Sequence, residues 1–333
     1  MIVHARRASA ILYNVLRARR DRRPFLLPAA VCPIVPITFI KARQPFRLLD
    51  SDPAERGMER SACLETVRRA PAAFAGVLYV RPYGALADRS DFFRALRTLR
   101  SDLLIVDDRC LCRPDPTGAC GDPAADVTLY STGYGKPVDL GTDGFAHLAD
   151  GVAYEIETLR FDPSALDTLT RRYKIALARR WPFSGSDGAW LDLNPPAVPW
   201  DRYRRRLEEA DRRVHAHRRR LNAIYAEHLP ASIQWPAAFQ QWRFQISVPE
   251  PAGLLRRLRA AGLFASRHYP PLGGGIFAEG SFPQAEALHR TVVNLFNDRY
   301  FTEAQAWQTV HQVRAHLADG AWRDPPSTSL PQG

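Results

Sequence analysis

Only three of the 46 basic side chains in this 333-residue sequence are lysines, Lys41, Lys136 and Lys174; the other 43 are arginines. In a chain so rich in Arg, Ala and Pro, each retained lysine is a candidate for amine chemistry that arginine cannot supply. A guanidinium neither gives up its proton nor forms a Schiff base. Lys136 lies in the stretch DVTLYSTGYGKPVDLGTDG, five residues after Ser131, and Asp107-Asp108 end an apolar run upstream. An amine, a carboxylate and a hydroxyl at strand ends are what a pyridine aldehyde held by a lysine requires. The amine binds the aldehyde, the carboxylate keeps the ring nitrogen protonated, and hydroxyl and backbone N–H donors hold a phosphate. The residue types alone also fit a surface lysine beside ordinary polar strand ends.

Other motifs carry less. Cys110, Cys112 and Cys120 form C-x-C-x7-C with no histidine close by, so no metal site is expected. Gly273 to Gly275 follow two prolines and read as a loop. Five cysteines form no disulfide framework, which points to a reducing cytoplasm. No 18-residue apolar run predicts a membrane span, and the N-terminus lacks the pattern of a signal peptide. The net charge of +11 sits in two segments: residues 1–25 contribute +6 and residues 201–220 contribute +5. Without an accompanying RNA-binding or zinc-finger pattern, these read as solvated helix faces, and nucleic acid is not an expected partner.

The elements that would position the chemistry follow from periodicity. Helical patterns span 10–20, 63–69 and 92–99, and an apolar segment spans 31–40. Strand-like runs occupy 25–27, 45–49, 77–80, 103–106 and 127–131. The alternation predicts an α/β domain over residues 1–200 with a mainly parallel sheet, whose carboxyl edge collects Arg81, Asp107, Asp108 and Ser131. A long helix over 200–224 presents an apolar stripe that includes His217, read as a partly buried structural histidine. Strands at 244–248 and 291–296 and helices at 251–261 and 302–317, the last capped by Thr302, predict a smaller α+β domain. That unit, with the long helix, is expected over residues 201–325, followed by a loose tail at 326–333.

The order of these segments resembles the DegT/DnrJ/StrS family of pyridoxal-phosphate-dependent sugar aminotransferases along nearly the whole chain. The family's stretch G-D-x-x-x-F-S-F-x-x-x-K-x-x-x-x-G-E-G-G is matched by Asp126, Ser131, Lys136, Gly141 and Gly144. Its E-D-A-A resembles Asp107-Asp108-Arg109-Cys110, and its V-H-L-Y-G resembles Val80 to Gly84. Ser9-Ala10-Ile11-Leu12 is similar to its phosphate loop, and Arg267-His268-Tyr269-Pro270-Pro271-Leu272 to its R-x-H-Y-x-P-L-H. Residues 293–295 and 302–303 resemble its closing strand and helix.

The resemblance implies a fold type I architecture and pyridoxal phosphate as cofactor. Lys136 would bind the cofactor, Asp108 its ring nitrogen, and Ser131, Ser9 and Ala10 its phosphate. Cys32 stands where the family places an aromatic against the ring. Leu111 and Thr142 also depart from the pattern, and the family's N-Y-R-M segment has no counterpart between 150 and 195. The chain begins close to the phosphate loop, so the segment that precedes it in the family is expected to be lost or to lie upstream. Arg267, His268 and Tyr269 are the expected substrate-side residues. The implied reaction moves an amino group from an amino acid to a nucleotide-linked keto-sugar, in a homodimer. The alternatives are sugar dehydration on the same cofactor, or a non-catalytic binding or regulatory paralogue.

Overall fold

The computed structural model describes residues 1–185 and 188–319. The expected tail at 326–333 lies outside the described residues. The first half alternates strands and helices: β1 (Ile2–Ala5), α1 (Ala8–Ala18), β2 (Phe25–Pro28), α2 (Ile34–Lys41), β3 (Phe46–Leu49), α3 (Arg60–Arg69), β4 (Gly76–Val80), α4 (Ser90–Leu99), β5 (Leu104–Asp108), β6 (Val127–Ser131) and β7 (Gly144–Leu148). The seven strands make one sheet in the order β1-β7-β6-β5-β4-β2-β3. The run from β3 to β6 is parallel, and β7 is antiparallel to both of its neighbours.

Strands β4, β5 and β6 are buried at every position, as GVLYV, LIVDD and VTLYS predict for parallel strands covered on both faces. One face packs on Ile11, Val15 and Leu16 of α1 and Ile37 and Phe39 of α2. The other packs on Val67 of α3 and Phe92, Phe93 and Leu96 of α4.

β1 and β7 were not expected from periodicity, yet they set the working edge. Gly144 pairs with Ser131 on one side and with Ala5 on the other. The chain leaving β1 is thereby delivered, with the start of α1, to the carboxyl edge beside Ser131. A side chain at Gly144 would meet the Ala8 nitrogen at 2.7 Å and the Tyr130 carbonyl at 2.8 Å, so this close approach requires glycine.

After α5 (Pro163–Arg179), α6 runs 29 residues from Trp200 to His228. Tyr203, Leu207 and Ala210 pack on Tyr130 and Phe145 of the large sheet, whereas Leu221 and Tyr225 pack in a second core. That core lies among β8 (Phe244–Ser247), α7 (Pro251–Ala260), β9 (Ala265–Ser266), β10 (Val292–Leu295) and α9 (Glu303–Asp319), with α8 (Pro283–Thr291) preceding β10. The small sheet is antiparallel, in the order β8-β10-β9.

Thr302 caps α9: its Oγ1 accepts the Gln305 N–H at 3.1 Å, and Gln305 Oε1 accepts the Thr302 N–H at 2.8 Å. Leu272, Ile276 and Ala285, inside the segment expected to belong to the small domain, pack instead into the core of the large sheet. The chain therefore crosses back between β9 and β10.

Candidate active site

The carboxyl ends of the strands surround a cavity of about 260 Å³ lined by Arg7, Ser9, Cys32, Asp108, Cys110, Ser131 and Lys136, among others. Residues up to 129 positions apart in sequence thus meet in one space because parallel strands and the β1–β7 pair end at the same edge. Of the residues expected there, Lys136, Asp108, Ser131, Ser9 and Cys32 all line it. Ala10 does not: it is fully buried, and its N–H is spent on the Arg7 carbonyl at 3.0 Å as α1 begins. The donors that precede that first helical bond are the N–H groups of Ala8 and Ser9, and both residues line the cavity.

Asp108 closes β5 and is 5% exposed. It accepts the Cys110 N–H at 2.9 Å, and burial raises its carboxyl above the usual range, with the Lys136 charge opposing. Its neighbour Asp107 takes no part in the cavity. It is fully buried and bound by Arg81 at 2.7 and 2.9 Å and by Arg109 at 2.7 Å, a strut under the edge.

Ser131 ends β6, and its hydroxyl accepts the Gly133 N–H at 3.3 Å. Lys136 rides the following loop, which Asp139 braces by accepting the Gly135 and Gly141 N–H groups at 2.7 and 2.8 Å. Two side chains from beyond the large sheet grip the peptides flanking the lysine. The Trp242 indole donates to the Gly135 carbonyl at 2.7 Å, and Arg218 of α6 donates to the Pro137 carbonyl at 2.7 Å.

Arg7 was not singled out by sequence, since it reads as one of seven arginines in a basic stretch. In the structure it is half-buried in the cavity wall, with a terminal nitrogen 4.0 Å from the position of a Gly133 Cβ. Its side chain has no hydrogen bond or ion pair among the described residues. The signal available in the sequence was its position immediately before the phosphate-loop match.

Cys32 and Cys110 both line the cavity, and burial raises both thiols. Cys32 also packs against a cluster of Tyr83, Leu111, Trp235, Trp242 and Tyr269. The three expected substrate-side residues do not line the cavity. Arg267 donates to the His289 carbonyl at 2.5 Å. His268 is held by Ser266 Oγ at 3.0 Å, and burial pushes its imidazole down to about 4. Tyr269 lies parallel to the Trp242 ring, with centroids 6.4 Å apart, behind Cys32. Tyr134, 83% exposed, stands at the mouth. Among the described residues, no cluster of potential metal ligands occurs and no helix is long and apolar enough to cross a membrane.

No protein-family model and no curated protein matches the sequence. Solved structures do match the fold. The sugar aminotransferase CalS13 from Micromonospora echinospora is 19% identical with a TM-score of 0.66, covering 94% of this chain and 87% of its own. A DegT DnrJ EryC1 StrS aminotransferase from Brucella abortus is 17% identical with a TM-score of 0.65, over 95% and 85% of the two chains. A Streptococcus pneumoniae protein solved in its PMP form is 16% identical with a TM-score of 0.69, over 96% and 88%. The large mixed sheet and the second sheet beyond α6 thus share the α/β fold of these solved aminotransferases.

Proposed function

We propose that this protein is a pyridoxal-phosphate-dependent aminotransferase. The observation that carries the reading is the convergence of Lys136, Asp108, Ser131, Arg7 and the start of α1 on one cavity. The residues fit the cofactor at both poles. Asp108 is a desolvated carboxylate suited to a protonated ring nitrogen. Arg7, Ser9, Ser131 and the N–H groups of Ala8 and Ser9 suit a phosphate dianion. Bound there, pyridoxal phosphate supplies an electron sink that acidifies the carbon carrying the donor amine. Lys136 Nζ would hold the cofactor aldehyde and, once displaced by the donor, carry the proton between donor carbon and cofactor carbon. Asp108 would keep the proton on the ring nitrogen throughout.

Sugar aminotransferases among the fold relatives favour a keto-sugar acceptor. The sequence resemblance extends this reading to a nucleotide-linked keto-sugar and a homodimer, and the cysteine usage to a cytoplasmic location. The presence of Lys136 favours transamination over dehydration. The test is spectroscopic. The purified protein should develop violet absorption with pyridoxal phosphate, lose it on adding the correct amino acid, and regain it with a keto acceptor. Absence of the band at any cofactor concentration would leave the binding-protein alternative standing.

Two substitutions probe the cavity. Arg7→Ala should weaken pyridoxal phosphate by roughly 10- to 100-fold, the worth of one charge-assisted hydrogen bond, and leave unphosphorylated pyridoxal unchanged. Equal weakening of both in an equilibrium titration would show that Arg7 does not meet the phosphate. Trp242→Phe keeps the ring beside Tyr269 but removes the donor to Gly135. Stopped-flow capture of the cofactor by Lys136 should slow about fivefold, as the loss of roughly 1 kcal/mol predicts. An unchanged rate would mean that Asp139 and Arg218 fix the loop without Trp242.

A further inference from the structure

The C-terminal half of α6 and the segment 234–244 enclose a groove of about 610 Å³ outside the cofactor cavity. His215, Arg218 and Arg219 line it from successive positions on one helical face, and no Asp or Glu lines it. We propose that this groove is a second anion site, one that takes a small soluble phosphate-bearing molecule.

Arg218 carries the argument. It is 6% exposed, and its Nε, itself buried, has no hydrogen-bond partner among the described residues. The hydrogen bond to the Pro137 carbonyl is a neutral contact that leaves the buried charge unmatched. The nearby carboxylates are committed elsewhere. Asp298 pairs with Arg243 at 2.9 Å, and Asp211 pairs with Arg113 at 2.5 Å. Burial and the Arg243 charge together push the Arg218 guanidinium down to about 10, with the charges of Asp298 and Asp211 opposing. A desolvated cation without a counter-charge is costly, and the chain itself does not offset that cost. An anion in the groove would.

The other groups in the groove narrow the ligand chemistry. Arg219 is exposed and makes no ion pair or hydrogen bond among the described residues. His215 is disfavoured as a cation by burial and by Arg113, Arg219 and Arg218, with Asp211 opposing, which reports a positive local field. Three of the four lining amides are already engaged, and Gln241 is exposed. Asn222 donates to the Gln240 carbonyl, Gln234 to Ala226 and Leu229, and Gln240 to Trp235 and Gln245. The positive charge facing the groove comes from the adjacent Arg218 and Arg219, and the exposed planar fork of Arg219 matches phosphate oxygens, with Gln241 a further donor in the lining. Trp235 and Phe244 in the lining leave apolar surface for an organic body.

The test must set the groove apart from the cofactor cavity, whose own phosphate pole Arg7→Ala weakens. Inorganic pyrophosphate is titrated calorimetrically into Arg7→Ala protein, then into Arg7→Ala proteins that also carry Arg219→Ala or Arg218→Lys. The expected result is a single site in the Arg7→Ala protein. It weakens about tenfold or more with Arg219→Ala, by the loss of a charge-assisted contact. It also weakens with Arg218→Lys, which keeps the charge and loses the fork. Because Arg219 is exposed, its variant should melt with Arg7→Ala when no ligand is present. The proposal is overturned if Arg7→Ala protein binds no pyrophosphate, or if both double variants bind it as well as Arg7→Ala does. It is also overturned if a short single-stranded DNA displaces pyrophosphate at equal phosphate concentration, which would make α6 a polyanion surface. None of these outcomes depends on whether the cavity accepts pyridoxal phosphate, so the two readings stand or fall separately.

Discussion

Lys136→Ala protein mixed with pyridoxal phosphate should show no violet absorption band and no amino-group exchange between any amino acid and keto acid. The expected loss of turnover is at least about a thousandfold, because one side chain is both the covalent anchor and the proton carrier. Lys136→Arg should be as inactive as the alanine variant, since a guanidinium keeps its charge and cannot condense with an aldehyde. The other two lysines provide the control. Lys41 donates to the Gly188 carbonyl at 3.0 Å, and Lys174 is exposed on α5. Lys41→Arg and Lys174→Arg should both retain the band and the activity. A band that survives Lys136→Ala and disappears on reduction with borohydride at another residue would relocate the chemistry and end the present reading of the cavity.

That a compositional drift toward arginine exposes one lysine is a property of this sequence, and it explains why the heart of the site was legible. The carboxylate and hydroxyl were legible for a different reason. β5 is an apolar run closed by Asp107-Asp108, and β6 is a short β-prone run, Val127 to Tyr130, closed by Ser131, so both ends are visible without tertiary information. β1 and β7 gave no such signal. They are four and five residues long, and the pairing that holds β1 to β7 joins residues more than 130 positions apart. With β1 unseen, nothing indicated that the chain turns at Arg6 and presents Arg7 to the cavity.

The basic stretch concealed it further, because the arginines look alike until their partners are known. Arg17 pairs with Glu157 at 2.8 Å and Arg23 with Asp21 at 2.5 Å, whereas Arg7 keeps its charge free. Arg218 was hidden in the same way, inside a run expected to face solvent. The buried stripe of α6 passes through Val214, Arg218 and Leu221 as the helix moves from one core to the other. α5 was missed although its start carries a signal, Asp162 accepting the Ser164 N–H at 2.9 Å ahead of Pro163 at the first helical position.

Asp108→Asn should act in opposite directions on the stability of the empty protein and on the reaction. Burial raises the Asp108 carboxyl above its ordinary value, so the folded chain binds this proton more tightly than the unfolded chain does. The favourable contribution of the carboxyl is complete below the unfolded-state value and is lost as pH rises through the raised folded-state value. At neutral pH the unfolded chain ionises this carboxyl freely while burial penalises its ionisation in the fold, so the group is a net cost, and an amide that can still accept the Cys110 N–H removes it. Without cofactor, Asp108→Asn protein should melt above wild type at pH 7, and the gap should close as the pH is lowered into the carboxylate range.

With cofactor the order should reverse. A protonated ring nitrogen matches the carboxylate charge, so wild type gains more in melting temperature on loading than the variant does. Turnover of the variant should fall about 100- to 1000-fold, the usual scale for removing one preorganised electrostatic partner. The violet band should persist, because Lys136 is intact. A variant that melts below wild type at pH 7 in the absence of cofactor would show that the carboxylate is satisfied by the protein alone. Asp108 would then be a structural strand end, and the ring nitrogen would need another partner.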